Sequence, residues 1–233
     1  MTLTRPIHRL KWAAKHLARK EGITHLAALD IVAVEEGYRS WSLLAARASR
    51  RSSAEDLLAR LAPGDLALIG ARPRQGKTRL ALDLALCAAA QGRRSTFFTL
   101  EYTSAEVVEV LRSIGAEITH GRLDWDCSEV ITATHIIGRM DRCTSGTVIV
   151  VDYLQALDQR REDPPLDEQI RHLRSWARQQ GAIVVFIAQI DRSYDPAVKS
   201  VPDVADIRLP NPLDLGVFDK KCFLHAGAIS VYA

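Results

Sequence analysis

Aromatic residues and cysteines are scarce in this chain, and long apolar runs are missing. Aromatic side chains make up 6% of the residues. The four cysteines show none of the close spacings that metal sites use. No apolar run approaches the roughly 18–20 residues of a membrane span, and the first residues lack the apolar stretch of a secretory signal. We therefore expect a protein of the reducing cytoplasm without a membrane partner.

The overall composition is that of an ordinary globular protein, but the charge is unevenly distributed. Apolar residues make up 47% and charged residues 25% of the 233 positions, which suits one medium domain plus a small appendage. Residues 1–52 hold ten Lys or Arg against four Asp or Glu, whereas the remainder is slightly acidic. This asymmetry indicates either a polyanionic partner near the N-terminus or a solvated basic surface, and both interpretations stay open.

The clearest motif lies at residues 66–78, where an apolar segment is followed by a loop and a helical pattern. Such a loop directs backbone N–H groups at phosphate oxygens, and the start of the following helix adds a positive dipole. Lys77 is placed to contact the outer phosphates, and the Thr78 hydroxyl is a hard oxygen ligand for Mg²⁺. The predicted phosphate-binding residues are Ala71, Arg72, Pro73, Arg74, Gln75, Gly76, Lys77 and Thr78.

One position departs from the usual phosphate-loop pattern. The pattern places a glycine five residues before Gly76, where this chain has Ala71, and Gly70 comes one residue too early. A Gly-Lys-Thr helix start also arises by chance in unrelated sequences. The apolar segment ahead of the loop and the amphipathic pattern behind it favour the phosphate loop over that alternative.

Three further apolar segments alternate with helical patterns and end in a polar residue. The segments are predicted as strands at residues 95–100, 147–152 and 182–188. Alternation with helices predicts a parallel sheet covered on both faces, whose ligands bind at the carboxyl ends of the strands. We predict that Asp152 binds Mg²⁺ with Thr78, that Glu101 deprotonates an attacking water, and that Gln189 contacts the γ-phosphate.

The N-terminal region predicts a small all-α module. Residues 1–48 predict three basic helices at 6–20, 25–36 and 41–48. Residues 49–63 predict a linker with a short helix, and residues 64–233 the main domain. The second and third helices have roughly the spacing of a helix-turn-helix, so a nucleic-acid-binding module and a bundle that only packs or binds protein both stay open.

Five segments, in order along the chain, resemble the motor domain of DnaB-type replicative helicases. They are residues 71–78, 99–101, 151–155, 188–193 and 206–208, and the resemblance covers about residues 60–225. It implies a RecA-like P-loop ATPase core with a mainly parallel sheet, with ATP and Mg²⁺ bound. The family's own loop begins with alanine. The resemblance also implies single-stranded DNA and a homo-oligomer or protein partner.

The resemblance assigns roles residue by residue. Lys77 and Thr78 correspond to the phosphate and Mg²⁺ ligands, Glu101 to the catalytic base, Asp152 to the second Mg²⁺ ligand and Gln189 to the γ-phosphate sensor. The family's DNA loops correspond to residues 158–165 and 193–202, although two solvated loops remain the alternative. The candidate DNA contacts in or beside these loops are Arg160, Arg161, Arg192 and Lys199.

The C-terminal part departs from the family. No Lys or Arg follows Lys221, so the arginine finger that a helicase subunit gives its neighbour has no counterpart at the usual place. Lys220 and Lys221 are the candidates for a substitute that acts on a neighbouring subunit. We expect an ATPase acting on or near DNA; the alternative is a non-translocating ATP switch that controls a protein partner.

Overall fold

The computed structural model describes residues 3–114, 121–160, 162–199, 201–209, 211–225 and 228–232. Seven strands and seven α-helices are found in these ranges. The helices are α1 (Ile7–Glu21), α2 (His25–Glu35), α3 (Trp41–Ala59), α4 (Lys77–Ala90), α5 (Ser104–Ser113), α6 (Ala133–Arg139) and α7 (Leu166–Gln180). The strands are β1 (Leu66–Ala71), β2 (Ser95–Thr99), β3 (Leu123–Asp126), β4 (Val148–Asp152), β5 (Ile183–Gln189), β6 (Lys220–His225) and β7 (Ala228–Tyr232).

All seven strands form one sheet in the order β3-β2-β4-β5-β1-β6-β7. Every neighbouring pair is parallel except β6 and β7, which are antiparallel. Side chains alternate along each strand, so β1 gives Ala67 and Ile69 to a core shared with α4, and Leu66 and Leu68 to a core shared with α7. The predicted α/β fold with a mainly parallel sheet is confirmed. No described helix is long and apolar enough to cross a membrane.

The segment predicted as a linker lies inside a helix. Helix α3 begins after Ser40, whose hydroxyl accepts a hydrogen bond from the Leu43 N–H, and runs without a break to Ala59. The polar stretch at residues 49–53 interrupts the apolar pattern and therefore favoured a linker. Beyond it, Leu57 and Leu58 are buried in the core that α4 shares with the sheet. This packing stabilises the whole helix, because tertiary contacts outweigh local composition in long helices.

Helix α6 also begins later than the sequence predicted. Thr132 caps it by accepting a hydrogen bond from the His135 N–H, rather than Asp126 or Ser128. Asp126 ends β3 instead, and its carboxylate contacts Arg139 at 2.9 Å and His135 at 3.1 Å. Burial raises the pKa of Asp126, but hydrogen bonds from Ser128 and the neighbouring His135 outweigh burial and hold it below its usual range. The carboxylate therefore joins β3 to α6.

The first three helices enclose a separate small core. Leu10 and Ala14 of α1 are buried against Ala28 and Val32 of α2 and Leu44 of α3. The three predicted helices are therefore present, with α3 extended into the main domain. The predicted hairpin between β6 and β7 is also present, and its turn at residues 226–227 lies outside the described residues.

Strand β6 lies unusually close to β1. A Cβ atom built on Gly70 would lie 2.9 Å from two ring atoms of Phe223 and 3.2 Å from Ile190 Cδ1. The two separations from the ring are shorter than carbon atoms tolerate, so glycine is what lets the Phe223 ring lie this close to the β1 backbone. The residue that seemed one position too early for the phosphate loop therefore has a packing role.

Asp219 fixes the start of β6 to the rest of the sheet. Its carboxylate accepts the Leu66 N–H at 2.9 Å and contacts Arg174 at 2.9 Å and Arg178 at 3.3 Å. Burial alone would raise the pKa of Asp219, but the Leu66 hydrogen bond and the two guanidinium groups lower it.

Replacement of Asp219 is expected to destabilise the protein in a pH-dependent way. A lowered folded pKa gives stability that is present above the unfolded pKa, about 3.9, and is lost as the pH falls through the folded pKa. Asp219→Asn should therefore reduce the free energy of unfolding by about 1–3 kcal/mol at pH 7, with the difference shrinking below about pH 4. Urea titrations at pH 7 and pH 3.5 measure this. Asp124→Asn, at an exposed site, is the control, and an equal loss at both pH values would contradict the prediction.

Candidate functional site

The loop between β1 and α4 has the backbone conformation of an anion-binding loop. Arg74 and Gly76 both adopt left-handed conformations, with φ of 65° and 82°. The Gln75 N–H donates to the Arg72 carbonyl at 3.3 Å, which closes the turn. Alternation of right- and left-handed residues turns successive N–H groups into one concavity. The first N–H groups of α4 lack helical acceptors and point into the same space.

Lys77 and Thr78, the first two residues of α4, meet a buried carboxylate. The Thr78 hydroxyl donates to Asp152 Oδ2 at 2.7 Å. The Lys77 ammonium lies 3.8 Å from Asp152 Oδ1 and 3.6 Å from Glu101 Oε2. Asp152 is the last residue of β4 and is fully buried. The strand ends and the helix start thus bring together residues that the sequence placed in one site.

The environment of Asp152 suits a divalent cation. Burial raises the pKa of Asp152, and this effect is opposed by the Lys77 charge and by the Thr78 hydrogen bond. Asp152 Oδ1 is buried without a hydrogen-bond partner in the described structure. Two carboxylates face one ammonium here, so one negative charge is uncompensated. A carboxylate and a hydroxyl are the hard oxygen ligands that Mg²⁺ accepts alongside water and substrate phosphate, so the residues present fit this ion.

Glu101 is the exposed member of the group. It follows β2, and its side chain keeps 33% of its surface accessible to solvent, whereas Asp152 has none. Its backbone N–H donates to the Thr99 hydroxyl at 3.1 Å, which fixes the turn that leaves the strand. Glu101 therefore combines proximity to the phosphate loop with access to water, which a general base requires.

Gln189 lies beside the loop on the other side of β1. It is the last residue of β5 and is paired in register with Ala71, the last residue of β1. Its carbonyl accepts the Arg208 N–H at 2.9 Å, which places the segment 206–208 next to the strand end. The half-buried side chain thus lies at the same sheet edge as Lys77 and Asp152.

Comparison with known proteins identifies the family of this sheet and loop. Residues 35–208 match the family AAA_25, described as an AAA domain. The chain belongs to this AAA domain family. The expected ATPase-class, helicase-like domain is thereby confirmed at the level of the family.

Relatives and solved structures agree with the resemblance to DnaB-type helicases. The AAA-domain chain is 28% identical over 184 residues to a probable plasmid replicative DNA helicase of Chlamydia muridarum, covering 64% of this chain and 40% of the relative. It is 27% identical over 225 residues to the replicative DNA helicase DnaB of Treponema pallidum, covering 82% of this chain and 50% of the relative. The chain thus spans about half or less of the length of these relatives.

The solved structures show that the fold is shared. A solved helicase-type ATPase domain superposes with a TM-score of 0.58 at 20% identity, covering 71% of this chain and 70% of that one. A DnaB-like replicative helicase, solved in a study of its interactions with primase, gives a TM-score of 0.59 at 17% identity. That superposition covers 93% of this chain and 65% of the other. The RecA-like fold predicted from the sequence is confirmed.

The predicted DNA contacts of the AAA domain have differing surroundings. Lys199 is held inside its own loop, because its ammonium lies 2.7 Å from Asp203 and 2.6 Å from Asp206. Hydrogen bonds to these two carboxylates raise its pKa. A phosphate would have to displace them, so Lys199 is less available than the sequence indicated. Arg192 is exposed or half-buried at the end of β5, next to Asp191.

The other two predicted contacts belong to the loop that follows β4. Arg160 lines an open cleft of about 1520 Å³ between α7 and residues 209–217. This cleft carries charges of both signs. Arg161 lies outside the described residues.

The candidate finger lysines lie away from the chain's own site. Lys220 is paired with Ala67 at the start of β1, whereas the phosphate loop follows the other end of that strand. The Lys221 ammonium donates to the Phe218 carbonyl at 2.9 Å. Lys220 and Lys221 therefore complete no contact in their own phosphate site, as far as the described residues extend, and their action on a neighbouring subunit stays a prediction.

One residue that supports the site was missed from the sequence. Gln169 on α7 is buried; its Oε1 accepts the Ala133 N–H, and its Nε2 donates to the carbonyls of Leu157 and Pro164. It thereby anchors the loop that follows β4. The available signal was a glutamine within the apolar stripe of α7, since a buried amide needs hydrogen-bond partners.

Proposed function

We propose that this chain binds Mg·ATP at the loop between β1 and α4, hydrolyses it, and acts on or near DNA. The observation that carries the proposal is the convergence of Lys77, Thr78, Asp152 and Glu101 within hydrogen-bond or ion-pair distance at one sheet edge. Family membership supports the nucleotide chemistry. The names of the helicase relatives support the connection with DNA.

Each side chain has a distinct part in the proposed hydrolysis. The loop N–H groups and Lys77 bind the β- and γ-phosphate oxygens, and Lys77 leaves its two carboxylates to do so. Thr78 and Asp152 would hold Mg²⁺, which when bound neutralises the charge that develops on the phosphate oxygens. Glu101 takes a proton from a water molecule as that water attacks the γ-phosphorus and the bond to the ADP oxygen breaks. The Gln189 amide orients the γ-phosphate or the water.

The proposal is tested by the rate of ATP hydrolysis as a function of protein concentration, with and without single-stranded DNA. Lys77→Ala should abolish hydrolysis, because the phosphates lose their cationic ligand. A wild-type rate per molecule that rises with concentration and with DNA supports a motor whose subunits complete one another's sites. A slow rate that is constant under both changes supports the ATP switch instead. Normal hydrolysis by Lys77→Ala would contradict both.

A further inference from the structure

The outer surface of α1 combines an exposed aromatic pair with a row of cations. Trp12 is 64% exposed, and its ring centroid lies 4.3 Å from that of His16, one helical turn later. Arg9, Lys15 and Arg19 are all exposed and lie three or seven residues from Trp12 along the helix. Residues at such spacings lie on the same side of a helix. The Trp12 ring is therefore surrounded by positive charge on the solvent side of α1.

These cations lack acidic partners on the helix itself. The first turn of α1 contains no acidic residue, although the positive end of the helix dipole favours one there. Among the described residues, the ion pair found on α1 joins Lys20 to Glu21 at its last turn. Arg9, Lys15 and Arg19 form no ion pair within the described ranges. Clustered unpaired cations around a large exposed aromatic ring are unfavourable for a surface without a ligand, and they match an anionic ligand with a flat face.

The opposite side of α1 excludes insertion into a membrane. A helix that lies on a membrane buries its apolar face among the lipid chains. On α1 that face is already occupied, because Leu10 and Ala14 are fully buried against α2 and α3, with Ile7 and Leu17 packed around them. The side that remains is basic and aromatic. Phosphate contacts to Lys and Arg, together with bases stacked on aromatic rings, are the means by which proteins bind single strands.

We propose that the surface formed by Arg9, Trp12, Lys15, His16 and Arg19 is a binding site for single-stranded DNA. The Trp12 ring stacks on one base, and the three cations contact the phosphates that flank it. A double helix offers the same phosphates but no free base face, so the single strand is preferred. This surface lies outside the matched AAA region, which begins at residue 35, and it adds a second nucleic-acid site to the proposed function.

The test is the binding of a fluorescently labelled oligo-dT of about 20 nucleotides, a length that exceeds one single-strand site, to the full chain, measured by fluorescence anisotropy in the absence of nucleotide. Trp12→Ala should weaken binding by roughly five- to 150-fold, the range measured for loss of one stacked base. The double variant Lys15→Ala/Arg19→Ala should flatten the dependence of log K on log salt by about 1.4, since each single-strand phosphate contact contributes about 0.7. The matched controls are Leu26→Ala, which removes an apolar side chain that is 68% exposed in the same module, and Arg112→Ala on α5. Both should bind like wild type.

Three results would overturn the proposal. The first is wild-type binding of oligo-dT by Trp12→Ala. The second is preference for an oligo-dA·dT duplex. The third is Trp12-dependent binding of phosphatidylserine vesicles or poly-glutamate with no binding of oligo-dT. Thermal unfolding of each variant shows whether the module stays folded. ATP hydrolysis without DNA is measured in the same samples, so that failure of this site is distinguished from failure of the proposed ATPase.

Discussion

Glu101→Gln is expected to lower the turnover number for ATP hydrolysis by about 10²–10⁴, the contribution typical of a general base. The amide has almost the same shape as the carboxylate but cannot take a proton from water. ATP binding should be retained, since Glu101 is not among the phosphate ligands. It should even strengthen slightly, because the Lys77 ammonium loses a carboxylate 3.6 Å away that competes with phosphate. Steady-state hydrolysis, together with titration of a fluorescent ATP analogue, separates the two effects.

The control for this substitution is Glu109→Gln, on the exposed side of α5. It makes the same chemical change away from the phosphate loop and should leave both hydrolysis and binding unchanged. Hydrolysis at the wild-type rate by Glu101→Gln would show that another group activates the water. Loss of nucleotide binding with no separate effect on turnover would show that Glu101 acts by positioning Lys77 instead.

Phe223→Ala is expected to reduce the free energy of unfolding by about 3–5 kcal/mol, the range for truncation of a buried phenylalanine. Phe223 is 1% exposed and lies against the β1 backbone at Gly70. Its removal leaves a cavity beside the strand that carries the phosphate loop. β1 and β5 are central strands and cannot move to fill it, so little of the lost packing is regained.

Urea unfolding measures this loss, with the midpoint falling and the slope unchanged. Val198→Ala is the control, because Val198 is 86% exposed and a surface truncation changes stability by only about 0.5 kcal/mol. The test has a particular use here, because β6 and β7 lie beyond the residues that match the AAA family. A loss below about 1 kcal/mol would mean that β6 does not pack on β1 as described.

The parts of the site predicted from the sequence depend on short-range patterns and one general rule. The loop at residues 71–78 follows from local composition, and Glu101, Asp152 and Gln189 were placed together because carboxyl ends of parallel strands share one edge. The observed contacts of Lys77 with Glu101 and Asp152 agree with that placement.

The features that were missed depend on partners distant in the sequence. The continuity of α3 through residues 49–53 follows from packing beside α4, which composition does not reveal. The capture of Lys199 by Asp203 and Asp206 depends on how one loop folds back on itself. The role of Gln169 depends on three groups up to 36 positions away. Periodicity carries no information of this kind.

The unbroken α3 makes the N-terminal module mechanically part of the nucleotide-binding domain. Its 19 residues form a rod about 28 Å long, at 1.5 Å per residue. One end packs beside α4, whose first two residues are Lys77 and Thr78, and the other end lies in the core beneath α1. A flexible tether would let the two parts reorient independently. A rod instead acts as a lever arm, so that a small tilt of α4 on nucleotide binding becomes a larger displacement at the far end.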